Sequence, residues 1–170
     1  AQAALKRVVA AEGVWRVNDL DRNACQDYWT LDIAGLYGVQ DPIGGPCAAL
    51  DAKTARLDSS PAAAYSGLRS GGTRGGYAVI ALTSDENRDA YVEPTSAPMT
   101  AAPLSGRIAT NTSKFGFCAY PAGSTGNIGD QFLVNEEGVV YRASQGAVVP
   151  PTSFPGLPAP RNDAGINWSE

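Results

Sequence analysis

The sequence contains no histidine, which bears directly on catalysis. Imidazole is the commonest group for acid–base chemistry near neutral pH and a frequent zinc ligand. Only three cysteines are present, and none forms a CxxC pair, so zinc ribbons and thioredoxin-like redox sites are excluded. No serine or threonine has a readable base to activate it. The composition therefore predicts a protein that is not an enzyme.

Long apolar runs and clusters of basic residues are also missing. No stretch of 18 apolar residues occurs, so no segment of the sequence is long enough to span a bilayer. The 17 acidic residues outnumber the 13 lysines and arginines, which gives a net charge of −4 and a pI near 4.8. Binding to nucleic acid depends on clustered positive charge. We therefore expect no nucleic-acid partner.

The composition that is present fits a single globular domain. A chain of 170 residues with 44% hydrophobic and 18% charged residues can bury a core without help from metals. Glycine (19) and proline (12) are abundant, so long loops are expected. We predict a globular domain over residues 1–146. The proline-rich segment 147–170 is predicted to run as an extended surface tail.

Helical periodicity dominates the first 18 residues. An apolar stripe recurs at helical spacing, and it consists of Leu5, Val8, Ala11 and Trp15. Lys6, Arg7 and Glu12 are predicted to lie mostly off this stripe. A second, shorter turn or helix is expected over 28–36, and a short helix around 48–57. The stripe needs a partner surface to cover it.

Strand patterns occupy the second half of the chain. They span residues 77–82, 114–120, 131–135 and 139–143. In the second of these, alternation places Phe115 and Phe117 on one face and Cys118 on the other. Gly138 is expected to adopt a positive φ in a hairpin turn. The predicted fold class is α+β, with the N-terminal helix packed on a small antiparallel sheet of three to four strands.

The three cysteines allow three disulfide pairings. Cys25 and Cys47 both lie in loop-like stretches, so this pairing is preferred. Cys118 falls in a strand pattern and is expected to be a core residue. We therefore predict one disulfide and one buried thiol.

An acidic loop follows the predicted helix. Oxygen donors occur at the spacing of a calcium-binding loop, and they are the side chains of Asp19, Asp21, Asn23 and Asp27 and the backbone carbonyl of Cys25. Ca²⁺ prefers six to eight oxygen ligands, which such a loop can begin to supply. The sequence thus predicts a Ca²⁺ site.

The match to a calcium loop is incomplete at two positions. Ala24 stands where an EF-hand has glycine, so the turn is harder to form. Thr30 stands where the bidentate glutamate belongs, and Asp32 is the candidate to replace it. The alternative is an ordinary loop in which Asp19 and Asn23 cap neighbouring turns and Arg22 pairs with a carboxylate.

Three stretches resemble a known family. Residues 4–37 (ALKRVVAAEGVWRVNDLDRNACQDYWTLDIAGLY) are similar to the post-anchor segment of pilin-like proteins of planctomycetes, with the same order of helix, DxDxN loop and DYWTxDxAGLY. Residues 115–122 (FGFCAYPA) and 131–146 (QFLVNEEGVVYRASQG) are similar to the closing strands of that group. The chain thus resembles type IV pilins and type II secretion pseudopilins. The prepilin cleavage glycine and the apolar anchor helix of that family are missing from this sequence.

The resemblance implies a structural subunit of an extracytoplasmic pilus or pseudopilus filament in a bacterium, in the periplasm or at the cell surface. Such a subunit self-associates through its N-terminal helix, packs with other pilin-like subunits, and contacts the membrane only through the missing helix. Leu5, Val8 and Trp15 would face the sheet. The residues that could face neighbouring subunits are Ala1, Ala4 and Lys6. Two alternatives stay open, namely a monomer in which all of these are core or solvent residues, and a secreted calcium-binding adhesion module.

Overall fold

The computed structural model describes residues 1–40, 45–69, 71–92, 110–122, 129–145, 152–154 and 168–169. Within these ranges the chain forms three helices and seven strands. In chain order these are α1 (Gln2–Asn18), β1 (Tyr28–Trp29), α2 (Gly35–Gly38), α3 (Ala52–Ala55), β2 (Tyr77–Ala81), β3 (Thr110–Asn111), β4 (Gly116–Pro121), β5 (Gly129–Asn135), β6 (Val140–Gln145) and β7 (Trp168–Ser169).

The strands form two antiparallel sheets. The larger sheet has five strands in the order β2-β4-β5-β6-β7, and β1 pairs with β3 in a separate two-stranded sheet. The α+β class is therefore confirmed, and the four long strands lie where the sequence predicts them. The predicted count of three to four strands is too low. The additional strands β1, β3 and β7 have two residues each, too short to leave a period-two pattern.

The larger sheet carries apolar side chains on both faces. Phe115, Phe117 and Ala119 join the main core cluster, together with the buried stripe of α1. Cys118 joins a second cluster on the opposite face, where Tyr91 and Phe154 also pack. The predicted alternation along β4 is thus confirmed, and the sheet is covered on both sides.

Helix α1 lies against the sheet through the predicted stripe. Leu5, Val8 and Trp15 are fully buried, and the Trp15 and Trp29 rings pack with centroids 5.1 Å apart. The helix ends at Asp19, which adopts a left-handed conformation with φ 46°. The packing of Trp15 on Trp29 fixes the end of α1 relative to the core, and the acidic loop starts from this end. Among the described residues, no helix combines the length and apolarity needed to cross a membrane.

The hairpin between β5 and β6 follows the turn chemistry expected from the sequence. Gly138 has φ 75°, and its N–H donates to the Asn135 carbonyl at 2.9 Å. Positive φ costs glycine nothing, which explains the position of this residue in the turn. The prediction for Gly138 is confirmed.

Helix α3 lies inside the stretch 48–57 where a short helix is predicted, and it is shorter than that stretch. Asp51 caps α3 by accepting the Thr54 N–H at 2.9 Å. The stretch 28–36, predicted as a turn or short helix, contains β1, a turn at residues 33–34 and the first half of α2.

Part of the predicted surface tail contacts the domain, although Thr152 is exposed as a surface segment would be. Phe154 is buried, its N–H donates to the Ser84 carbonyl at 2.8 Å, and its ring packs on Tyr141. Trp168 and Ser169 form β7 at the sheet edge. Residues 146–151, 155–167 and 170 lie outside the described residues, so the remainder of the tail prediction is untested there.

Candidate functional site: an acidic loop at the end of the N-terminal helix

The acidic loop, residues 19–27, folds around the side chain of its first residue. Asp19 Oδ1 accepts the Asn23 N–H at 3.0 Å, and Asp19 Oδ2 accepts the Ala24 N–H at 3.1 Å. Arg22 and Ala24 both adopt left-handed conformations, with φ 54° and 63°. Ala24 therefore makes the tight turn that an EF-hand assigns to glycine, at the cost of local strain.

Three of the predicted ligand residues are brought together. Asn23 Nδ2 donates to Asp21 Oδ2 and to Asp27 Oδ2, both at 2.9 Å. Asn23 Oδ1 accepts the Cys25 N–H at 2.7 Å, which fixes the orientation of the amide. The two carboxylates therefore converge on one side chain.

Both converging carboxylates are buried. Asp21 is 8% exposed and Asp27 is 4% exposed. Burial, the neighbouring charge of Asp27 and the contact with Asp19 raise the pKa of Asp21 to about 7, and burial also raises the pKa of Asp27. No described donor meets strict hydrogen-bond geometry at Asp21 Oδ1 or Asp27 Oδ1, and a hydrogen bond from the Thr110 side chain lowers the pKa of Asp27 against the effect of burial. Such buried oxygens are costly unless a cation or a proton neutralises them.

Arg16 contacts the C-terminal end of the acidic loop, but among the described residues it forms no ion pair with the carboxylates of the loop. Its Nε donates to the Gln26 carbonyl at 3.3 Å, and its Nη1 donates to the Tyr28 hydroxyl at 2.8 Å. The guanidinium also lies over the Tyr28 ring, 4.7 Å from its centroid. No ion pair between described residues involves Asp21 or Asp27.

A further carboxyl group, Glu12, lies beneath the loop. It was predicted off the apolar stripe, and this prediction is wrong, because Glu12 is 0% exposed. Its Oε2 accepts the Trp29 N–H at 2.9 Å, whereas Oε1 has no partner among the described residues. Burial and the charge of Asp27 raise the pKa of Glu12 well above its usual value, although the Trp29 hydrogen bond lowers it. The spacing of residues 5, 8, 12 and 15 was the signal that could have placed Glu12 on the stripe.

Asp32, the proposed substitute for the EF-hand glutamate, lies in a different network. Its Oδ1 accepts the Gly35 N–H at 2.6 Å and the Trp29 indole N–H at 3.2 Å. Its Oδ2 accepts the Ala62 N–H at 2.6 Å and the Tyr65 hydroxyl at 2.8 Å. Each carboxylate oxygen of Asp32 therefore accepts two hydrogen bonds. Asp32 links two other loops and does not contribute to the acidic loop.

The six-ligand set predicted from the sequence is thus assembled only in part. Asp21, Asn23 and Asp27 converge, Asp19 is engaged by backbone amides, and Asp32 is engaged elsewhere. Within the described ranges, no group of three or more acidic, cysteine or histidine side chains has the geometry of a metal cluster. The arrangement offers two buried carboxylate oxygens to a cation, with the remaining ligands left to backbone carbonyls or water.

The predicted Cys25–Cys47 disulfide is absent. All three cysteines lie among the described residues and none is in a disulfide. Cys25 is exposed, whereas the Cys47 thiol is directed at the Leu20 carbonyl, with 3.3 Å between Sγ and oxygen. Cys118 is buried in β4 as predicted, and burial raises the pKa of its thiol.

No protein-family model, curated protein or solved structure matches this chain.

Proposed function

We propose that the chain is a non-enzymatic structural subunit of an extracytoplasmic bacterial filament of the type IV pilus or type II secretion pseudopilus kind. The observation that carries the proposal is the N-terminal helix. One stripe of α1 is buried against the sheet, while Val14 and Val17 on the same helix are 45% and 74% exposed. Large apolar side chains exposed together on one helix are typical of association surfaces.

The exposed side of α1 is suited to packing against other subunits. From Ala10 onward its exposed residues are Ala10, Gly13, Val14, Val17 and Asn18, none of which is charged, while Arg16 is half-buried. Small side chains permit close approach between helices, and the absence of charge there avoids a desolvation cost. Ala4 cannot face a neighbour as the sequence suggested, because it belongs to the buried core. The association surface is therefore proposed to lie on the second half of the helix.

Immunogold electron microscopy of cells that produce the protein tests this function. Antibodies raised against the chain should label filaments, and labelling should disappear when the gene is deleted. Diffuse labelling of the envelope or the medium would contradict the filament proposal.

Cysteine crosslinking tests the association surface in the same cells. In a Cys25→Ser background, Val17→Cys should give disulfide-linked multimers. Ser66→Cys is the matched control, because Ser66 is also exposed but lies in a turn that is not part of the helix. Equal crosslinking at both positions would argue against a specific helix contact.

A secreted calcium-binding surface module is the second candidate function. The observation that favours it is the convergence of the buried Asp21 and Asp27 carboxylates on Asn23, at the spacing that the calcium loop predicts. Both functions are compatible with one chain, since a cation could lock the loop in a filament subunit. Diffuse labelling combined with calcium-dependent thermal stability would favour the binding module alone.

A further inference from the structure

The exposed charges at the two ends of the five-stranded sheet differ in sign. Strands β2 and β5 both pair antiparallel with β4, so they run in the same direction. Tyr77 begins β2 at one end of the sheet, and β5 reaches its hairpin turn, residues 136–138, at the other. The six residues of β4 lie between these ends, which are therefore roughly 17 Å apart.

Two arginines lie at the end where β2 begins, which we call the arginine end. The Arg74 N–H donates to the Tyr77 carbonyl at 3.0 Å and the Tyr77 N–H donates back at 3.2 Å, so Arg74 stands directly at the start of the strand. Arg56 lies beside it, because the next residue, Leu57, accepts the Val79 N–H of β2 at 2.7 Å. Both arginines are exposed, and neither is in an ion pair with a described carboxylate.

Glutamates lie at the opposite end, which we call the glutamate end. Glu136 and Glu137 form the hairpin turn, and Glu136 Oε2 accepts the Phe115 N–H at 3.3 Å just before β4 begins. Burial raises the pKa of Glu136, and the charges of Glu137 and Glu86 raise it further, which places Glu86 close to the turn. Glu86 and Glu137 are exposed, and no ion pair between described residues involves either.

Neighbouring charges do not cancel this difference in sign. At the glutamate end, the Lys114 ammonium contacts Asp85 directly and lies 3.8 Å from Asp89 Oδ2, so its charge is already matched within the chain. Arg88 is exposed in the same loop, and together these two cations are outnumbered by the carboxylates of the loop and the hairpin turn. At the arginine end, Asp130 is paired with Arg142 at 2.7 Å and leaves Arg56 and Arg74 in excess.

Opposite charge at opposite ends favours one relative orientation of two copies. A symmetric contact through either end would bring like charges together, which is costly at an interface. A contact between the arginine end of one copy and the glutamate end of the next would bring opposite charges together. Such a contact uses different surfaces on the two partners, so it does not close and can be repeated.

We propose that copies of this chain associate head to tail along the strand direction, with Arg56 and Arg74 of one copy docked against Glu86 and Glu137 of the next. The partner is thus a second copy of the chain, recognised by charge. The inference rests on the filament part of the proposed function and adds a contact that is separate from the exposed side of α1.

Sedimentation velocity of the isolated chain at several salt concentrations tests the contact. The mean sedimentation coefficient should keep rising with protein concentration, since a head-to-tail contact leaves a free end on every oligomer. Raising NaCl from about 0.05 M to about 0.5 M should weaken the association constant by roughly tenfold or more, because exposed charges are screened. An absence of association up to about 1 mM protein, or association that does not respond to salt, would overturn the proposal.

Charge-reversed variants assign the contact to these residues. Arg56→Glu with Arg74→Glu makes both ends acidic, and Glu86→Lys with Glu137→Lys makes the glutamate end basic, so each double variant alone should stay monomeric. An equimolar mixture of the two double variants should associate again, which also shows that both are folded. The chain with all four substitutions keeps the net charge of the parent chain and is the matched control, and it should associate as the parent does. Folded double variants that each associate as the parent does would overturn the assignment.

The outcome of these measurements is distinguishable from that of the filament test. Filaments labelled in cells, from a chain whose association in solution ignores salt and charge reversal, would overturn this contact and leave the filament proposal standing. Salt-dependent association that follows the charge-reversed variants, without labelled filaments, would support the contact and contradict the filament function.

Discussion

The carboxylate of Glu12, in the middle of the N-terminal helix, accepts the backbone N–H of Trp29 at 2.9 Å. This hydrogen bond joins α1 to the first strand of the small sheet inside the core. The Trp15 ring, one turn further along the helix, packs on the Trp29 ring. The helix is thus tied to the chain on the far side of the acidic loop by one polar and one aromatic contact, which together hold both ends of that loop.

Substitution of Glu12 should separate the role of its acceptor oxygen from that of its charge. Glu12→Ala leaves the Trp29 N–H without an acceptor and creates a cavity, so we expect a loss of about 2–4 kcal/mol in the free energy of unfolding. Glu12→Gln retains an acceptor and the shape, and should stay within about 1 kcal/mol of the parent chain. Urea denaturation followed by tryptophan fluorescence measures both. Equal losses in the two variants would show that the hydrogen bond is not what Glu12 contributes.

The pH dependence of stability should reveal the buried Asp58. Burial and the neighbouring Asp32 raise its pKa to about 6, despite hydrogen bonds from Ala34 and Ser60 that lower it. Because the folded pKa exceeds the ordinary value of 3.8, the native state binds the proton more tightly. This contribution is fully present below about pH 4 and is lost as the pH rises through about 6, by roughly 2–3 kcal/mol.

Denaturation at a series of pH values checks this expectation. Asp58→Asn lowers stability at every pH, since one acceptor oxygen is lost, but it should flatten the slope between pH 4 and 6. An unchanged slope in this variant would assign the pH dependence to other carboxyl groups.

Two glycine-to-alanine substitutions should act in opposite directions. A Cβ at Gly35 would overlap the buried Trp29 ring, so Gly35→Ala should cost about 1–3 kcal/mol. A Cβ at Gly13, inside α1, meets nothing within 4 Å. Gly13→Ala should therefore stabilise the chain by about 0.5–1 kcal/mol through helix propensity. Thermal melting followed by circular dichroism gives both values, and a destabilising Gly13→Ala would show that this helix face is already covered.

Thiol titration should distinguish the three cysteines. In denaturant all three should react with Ellman's reagent, because none is in a disulfide. In the native protein the exposed Cys25 should react first and the buried Cys118 only on unfolding. Cys25→Ser should remove the fast phase alone. A single reactive thiol in denaturant would show that two of the cysteines form a disulfide, as the sequence predicted.

Local periodicity accounts for what the sequence predicted well. The alternation of Phe115, Phe117 and Cys118 and the spacing of Leu5, Val8 and Trp15 are both set by residues close in the chain. Asp21, Asn23 and Asp27 were found for the same reason, since their convergence depends on one short loop.

The remaining features depend on contacts that a local pattern does not contain. The donors to Asp32 include Ala62 and Tyr65, which follow it by 30 and 33 residues. The sequence around Asp32 therefore contains no pattern that predicts these hydrogen bonds. Glu12 is a charged residue in an apolar stripe, and only the Trp29 N–H explains its burial. Phe154 returns to the sheet from a proline-rich segment whose composition indicates a solvated tail.

The closure of both edges of the five-stranded sheet limits how copies of this chain could join. On one edge, β2 is occupied where Val79 exchanges backbone hydrogen bonds with Leu57 and Ser59. On the other edge, the two-residue β7 covers β6 and is itself too short to template a further strand. The described edges of this sheet therefore leave little backbone for copies to share. A polymer joined at this sheet would be held by side chains, and each subunit could leave it without breaking a continuous hydrogen-bonded sheet.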